Sequence, residues 1–435
     1  MFVQNNNATK YNKIIFCLGL AFILFLVALR NLFGFTSFPV ILVLLVVTVL
    51  AAFCDKSELI ALTITFIPLA SAFQYKYAIL ICMVVYLLKF GKEFRINWTI
   101  IPLLLMFVWE LFHAIGQQFS LLESLRGFTE LIFITFLLLC NFKDLDFKII
   151  VRALAITSIV VMTIKILSLL IESGFDFVAI FEGTYRFGKS DADVKEYSLS
   201  YNSNQLGLIC NLSIIGLLQL VLQKKNNKLD YLWIVVLALF GVMTMSRTFI
   251  LCFLIIMVLF LFSRKEPITK KIKKFLIIAC SIFVIFLLAN WLMPTVVERF
   301  YERFLVDDIT NHRGDLLVFY NKHIFSSAKY SLFGIGIQNM GDKLISIYPS
   351  TFTFVPHNGI QEILVAWGMP GLLLFGWFVL SVVLIAKAEN KLSLGGFIPL
   401  IIILISVQAG QFVTSGTSLL AIAFAYIGLI CVRRS

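Results

Sequence analysis

The stretch "VPHNGIQEILVAWGMPG", Val355 to Gly371, puts His357, Asn358, Gln361 and Glu362 ahead of a run that becomes almost wholly apolar. An imidazole titrates near pH ~6.5 when unperturbed, so it can take or give a proton at neutral pH. At the mouth of a cavity it would serve as a general base or acid. Three arginines stand in comparably unusual places. Arg186 lies in "TYRFGKS", Arg247 in "MTMSRTFI" and Arg313 in "TNHRGDLLVFYNKHIF". Guanidinium groups grip phosphate oxygens bidentately and stay charged at any relevant pH. Together these residue types suit proton transfer beside an anionic, phosphate-bearing lipid substrate. The plainer alternative for each arginine is snorkelling toward lipid headgroups, and for His357 a hydrogen bond to a neighbouring loop.

Other chemistries find no purchase. P-loops, nucleophile elbows, HExxH and zinc-ligand spacings are absent. "DLD", Asp144 to Asp146, reads as a solvated cytoplasmic turn, and "DAD", Asp191 to Asp193, offers only two carboxylates for a divalent ion. The eight cysteines all sit in or at the ends of apolar segments and form no CxxC pair, which argues against a disulfide framework or thiolate metal site. No metal and no cofactor is therefore expected.

The elements that must position these residues are membrane helices. The chain is 60% hydrophobic and 14% charged, more apolar surface than a soluble protein of this length could hide. Alternating ten-residue units are missing, so a β-barrel is disfavoured. About fourteen spans are expected on the ~20-residue criterion. They lie near 13–30, 35–53, 58–71, 77–90, 98–116, 125–141, 148–171, 204–222, 229–245, 248–263, 274–292, 358–386, 394–411 and 414–432. The third and fourth are short enough for a re-entrant pair. The first reads as a span, with no small-residue cleavage site before it. The expected fold class is thus an all-α polytopic membrane protein, one integral-membrane domain over 1–435.

Charge orients the helices. "SRKEPITKKIKK", Ser263 to Lys274, holds six basic residues and one acid, which places it in the cytoplasm. "LQKKNNK", "LKFGKEFR", "AKAENK" and the final "VRRS" then fall on the same side, as do both termini. The net charge of +12 follows from this bias, and nucleic acid is not an expected partner. Two long loops fall outside, 172–203 and 293–357. Loops of such length in a compact protein usually carry function.

On a helix at about 100° per residue, His357, Gln361, Leu364, Gly368 and Gly371 return to one face. The glycines would let a neighbouring helix approach closely and so fix the histidine, with Pro370 kinking the helix between them. His113, after Glu110 in the fifth span, suits a packing or polar-network role.

"HNGIQEILVAWGMPG" fits His-[Asn/Ser/Gln]-x9-Gly-x-x-Gly, and so resembles the signature of the O-antigen polymerase and O-antigen ligase superfamily (Wzy and WaaL). Around it, "SYNSNQLGLI", "SRT" at an outer turn, "HRGDLLVFYNKHIF" and "SLFGIGIQN" follow in the family's order. The likeness spans about residues 180–380. It departs at Leu372, where a threonine is common, and Ile324 stands where some polymerases have a glycine after Arg-x10.

The resemblance implies a GT-C-like helical fold and metal-independent, inverting glycosyl transfer on the outer, periplasmic face of the bacterial cytoplasmic membrane. The donor it implies is a glycan on undecaprenyl diphosphate, held by Arg186, Arg247, Arg313, Asn358 and Gln361. His357 would remove or orient the acceptor hydroxyl proton. Membrane lipids are partners, and a chain-length regulator and a flippase are candidate ones. The span count favours a polymerase of O-antigen or capsular repeat units, with an O-antigen ligase acting on lipid A–core as the alternative. A transporter or flippase would want ionisable groups at mid-membrane and matched broken helices in two halves.

Overall fold

The computed structural model describes residues 6–35, 38–70, 75–94, 98–115, 132–137, 139–140, 145–176, 199, 201, 203–292, 294–302, 313–337, 356–388, 393–409 and 416–432. Among these the secondary structure is helix without strand. In chain order the helices are α1 (Asn6–Phe33), α2 (Phe38–Phe53), α3 (Lys56–Thr65), α4 (Lys76–Phe90) and α5 (Ile100–Ile115). Then come α6 (Phe147–Glu172), α7 (Ser203–Leu222), α8 (Lys228–Met243), α9 (Arg247–Ser263) and α10 (Ile268–Leu292). The second long loop contains α11 (Pro294–Tyr301), α12 (Arg313–Ser326) and α13 (Ala328–Phe333). Last are α14 (Gly359–Ala388), α15 (Leu394–Ser406) and α16 (Gly416–Cys431). The basic stretch 263–274, expected as a loop, is half helical: α10 begins at Ile268, just after Pro267.

Among the described residues, Lys13–Phe33, Phe147–Glu172, Ser203–Leu222 and Gly359–Ile385 are each long and apolar enough to cross a bilayer. Five shorter apolar helices accompany them, and the chain is an integral membrane protein. The bundle is organised around α7. Of its apolar window 89% is buried inside the protein, against 28% for that of α14. Several polar groups on so enclosed a helix pair within the protein. Ser213 donates to the Ser158 hydroxyl on α6 at 2.8 Å, and Gln219 donates to the Gly395 carbonyl on α15 at 2.8 Å. Where α9 crosses α7, a Cβ on Gly207 would stand 2.9 Å from that of Phe249, so glycine sets the approach of the two helices.

Contacts between helix ends fall into two sets. At one end, Lys89 donates to the carbonyls of Ala52 and Cys54, Asp146 N–H to Ser57, and Gln223 to the Cys431 carbonyl. At the other, Leu199 N–H donates to Asn31, Tyr201 to the Pro68 carbonyl, Ser246 to Asn204 and Asn358 to Gln408. Each pair joins residues that alternating spans would bring to one side.

The first end is fastened by charge. Asn227 and Asp230 form a capping box that starts α8. The same Asp230, fully buried, takes Arg152 of α6 bidentately at 2.9 and 2.8 Å. Removing Asp230 leaves the mostly buried Arg152 guanidinium without its carboxylate, at a cost of about 1–3 kcal/mol. Asp230→Ala should therefore lower the thermal unfolding midpoint in detergent more than the double change Arg152→Met/Asp230→Leu. A double variant that unfolds earlier than the single one would contradict this.

Candidate functional site

The site is built on a break in α14. Gly368 has φ 65°, a left-handed value that interrupts the helix, and Pro370 two residues on has no N–H to offer Ala366. A break inside so apolar a helix frees carbonyls that apolar surroundings cannot satisfy. Here the protein satisfies them. Ile335 N–H donates to the Val365 carbonyl at 2.9 Å and Gly336 N–H to that of Ala366 at 2.7 Å. The Trp109 indole of α5 donates to the Trp367 carbonyl at 3.1 Å.

The segment that supplies two of these donors, Gly334 to Ile337, is a strap leading out of α13. Its glycines are dictated by the closeness of the approach. Gly334 (φ 72°) would place a Cβ 2.5 Å from the Ala366 carbonyl oxygen, and Gly336 (φ 81°) would place one 2.9 Å from His113 Cβ. The strap is held from the other side by Glu110. This fully buried carboxylate accepts from Ile337 N–H at 2.9 and 3.2 Å and from the Trp367 indole at 2.7 Å. Trp109 stacks on Phe333 with centroids 5.8 Å apart, and the Trp109 carbonyl meets His113 Nδ1 at 2.9 Å.

The break revises the single stripe read from the sequence. His357 precedes α14 rather than lying in its first turn, and the left-handed residue at Gly368 ends the 100° register. Gly368 faces not a spanning helix but the end of α13, where its Cβ would stand 2.6 Å from the Leu332 carbonyl oxygen. A Cβ on Gly371 would stand 2.2 Å from that of Trp367 in its own helix. Both glycines therefore shape the break, and the disruption centres on Gly368 rather than on Pro370.

The N-terminal half of α14, Gly359 to Trp367, is pinned at its start as well. Asn358 caps it, accepting from Ile360 N–H at 3.0 Å and Gln361 N–H at 3.1 Å, while its amide donates to Gln408. Gln361 is buried and donates to the Leu317 carbonyl at 2.8 Å and to Asn321 at 3.0 Å. Both belong to α12, whose first residue is Arg313. Gln361 follows His357 by four residues, and Leu317 follows Arg313 by four, one turn of α12. The half-buried His357 and the N-terminus of the Arg313 helix are thus tied through one side chain.

Arg247 opens α9, next to its cap Ser246, which accepts from Phe249 N–H at 3.2 Å and donates to Asn204 of α7 at 2.7 Å. That anchors the arginine's turn on the central helix. Arg186, His312 and the "DAD" stretch lie outside the described residues. Asn358 and Gln361, expected as substrate contacts, have their amide donors committed within the protein. Glu110, the strap glycines and Asn321 were not singled out as site residues from sequence. For Glu110 a signal existed, a carboxylate inside an apolar span.

Residues 232–376 match a family described as O-antigen ligase. The chain carries a domain of the O-antigen polymerase and ligase superfamily. No curated protein matches the chain. The superfamily domain takes in Arg247, Arg313, the strap, His357 and both glycines of the break. Glu110 and Trp109 stand before it in sequence yet bond to residues inside it.

Left-handed backbone costs a non-glycine residue about 1–2 kcal/mol before any clash is counted. Gly368→Ala should therefore lower both the unfolding midpoint and any transfer activity, because the new methyl also meets the Leu332 carbonyl. Gly376→Ala, where a Cβ meets nothing within 4 Å, should be neutral. Equal behaviour of the two variants would argue against a structural requirement at the break.

Proposed function

We propose that the chain is a membrane glycosyltransferase that polymerises glycan repeat units carried on undecaprenyl diphosphate. In this reading it has fourteen spans in a GT-C-like arrangement, both termini in the cytoplasm and its site at the outer face of the cytoplasmic membrane. The loops 172–203 and 293–357 carry the site. The observation that supports it best is the Gln361 bridge, which ties the His357 end of α14 to the helix that begins with Arg313.

Arg186, Arg247 and Arg313 hold the diphosphate of the donor. The acceptor hydroxyl oxygen attacks the anomeric carbon from the face opposite that diphosphate, while His357 takes the hydroxyl proton or orients the group. The bond from the anomeric carbon to the diphosphate oxygen breaks, and the electron pair leaves with the lipid diphosphate. The arginines offset the charge that develops there, in a site where fixed cations act more strongly than in water. The anomeric centre is inverted. No metal is needed in this scheme, because the guanidinium groups supply the positive charge.

A second reading is ligation of the glycan to lipid A–core, with which the matched family is equally consistent. A transporter reading has less support. Its broken helices line a substrate path, whereas the carbonyls freed at Gly368 are taken up by the strap and Trp109.

Purified protein given a defined lipid-linked repeat unit alone should produce a ladder of products. Product formed only when lipid A–core is added would mean ligation. His357→Ala should abolish transfer while the protein still inserts, and a normal ladder from it would remove the base assignment. Arg313→Lys should be nearly as damaging as Arg313→Ala, since bidentate geometry is lost. Full activity with lysine would mean that charge alone suffices.

A further inference from the structure

We propose that Glu110 is a positioning residue for His357, acting through the break in α14. The inference rests on the reading of His357 as the group that handles the acceptor proton.

Glu110 lies on α5, 227 residues before Ile337 and 257 before Trp367. Its Oε1 accepts from Ile337 N–H, and its Oε2 accepts from the same N–H and from the Trp367 indole. One fully buried carboxylate therefore joins three pieces: α5, the glycine strap and the last residue before the break. The neighbouring Trp109 doubles the link by donating to the Trp367 carbonyl. Everything on the outer side of the break, Gly359 to Trp367, moves as one short helix whose inner end is held here.

Leverage makes this position consequential. Gly359 to Trp367 is about 13 Å of helix at ~1.5 Å per residue. A tilt of roughly 10° at the break, opposed at the far end by the Asn358 and Gln361 bonds, would shift the half-helix and the His357 beside it by up to about 2 Å. A displacement of ~1 Å at a reacting group can cost about 100-fold in rate.

The chemistry of the node is selective. Indole N–H and backbone N–H only donate, so the site demands an acceptor at both oxygens. Glutamine has the same shape but offers one acceptor and one donor. Whichever way its amide turns, an NH₂ faces either Ile337 N–H or the Trp367 indole. Replacing Trp367 by phenylalanine removes the second of these donors. Glutamine could then turn its oxygen to Ile337 and its NH₂ to the space the indole N–H left.

The test uses full-length protein in proteoliposomes with a defined lipid-linked repeat unit. Glu110→Gln, Trp367→Phe and the double variant are compared, with His357→Ala as reference. Glu110→Gln should lower kcat about 10- to 100-fold while the donor KM stays within about threefold, the mark of misplacement rather than lost binding. The double variant should be more active than Glu110→Gln alone, a suppression that a purely space-filling role would not give. In ¹⁵N-labelled protein the Trp367 indole resonance should shift in Glu110→Gln. Wild-type kcat in Glu110→Gln, or a double variant no better than that single one, would overturn the proposal while leaving His357 untouched. If Glu110→Gln fails to fold, the double variant still decides: it should fold and turn over, and its failure to do so overturns the proposal. Retained activity in His357→Ala would instead bring down the reading on which the proposal rests.

Discussion

A backbone carbonyl exposed to lipid costs several kcal/mol, and α14 breaks where it would expose three. That constraint organises the region around His357. The break at Gly368 frees the carbonyls of Val365, Ala366 and Trp367, and each finds a donor in the strap or in Trp109. The strap can reach them only because Gly334 and Gly336 lack side chains. Its far edge is satisfied in turn by Glu110. A loop segment, a spanning helix and the inner end of the half-helix behind His357 are therefore fixed by one set of hydrogen bonds.

The other end of that half-helix is fixed by amides. Asn358 both caps α14 and reaches Gln408, and Gln361 crosses to α12. The result is a short rigid rod with an imidazole at its tip, laid against the helix that Arg313 begins. The central helix α7 does the corresponding service for Arg247, through Asn204 and Ser246. Such pre-positioning suits a reaction whose protein contribution is placement and fixed charge.

Much of the architecture was legible because hydropathy and charge are sufficient for it. Spans read as apolar runs correspond to helices over most of the described chain, and contacts at helix ends pair segments that alternation puts together. Of the candidate site, the residue order drew attention to "SRT", "HRGD", "SLFGIG" and "HNG", all within residues 232–376, and of these the helix α12 and the strap pack against α14. Pro370 announced a kink, but periodicity could not show that the break falls at Gly368. A stripe computed at 100° per residue assumes a continuous helix, and nothing in that assumption anticipates a left-handed residue at Gly368. The roles of Gln361 and Glu110 were hidden for a related reason. Both are set by partners distant in sequence, Leu317 and Asn321 for one, Ile337 and Trp367 for the other.

The central claim is that His357 serves an acceptor hydroxyl on the face opposite a diphosphate held by arginines. Its most direct test is the anomeric configuration of the linkage formed, read by NMR from the product of purified protein and a lipid-linked donor of known configuration. The account predicts an inverted centre. A retained centre would contradict it, since retention requires a covalent glycosyl intermediate or attack from the side of the leaving group.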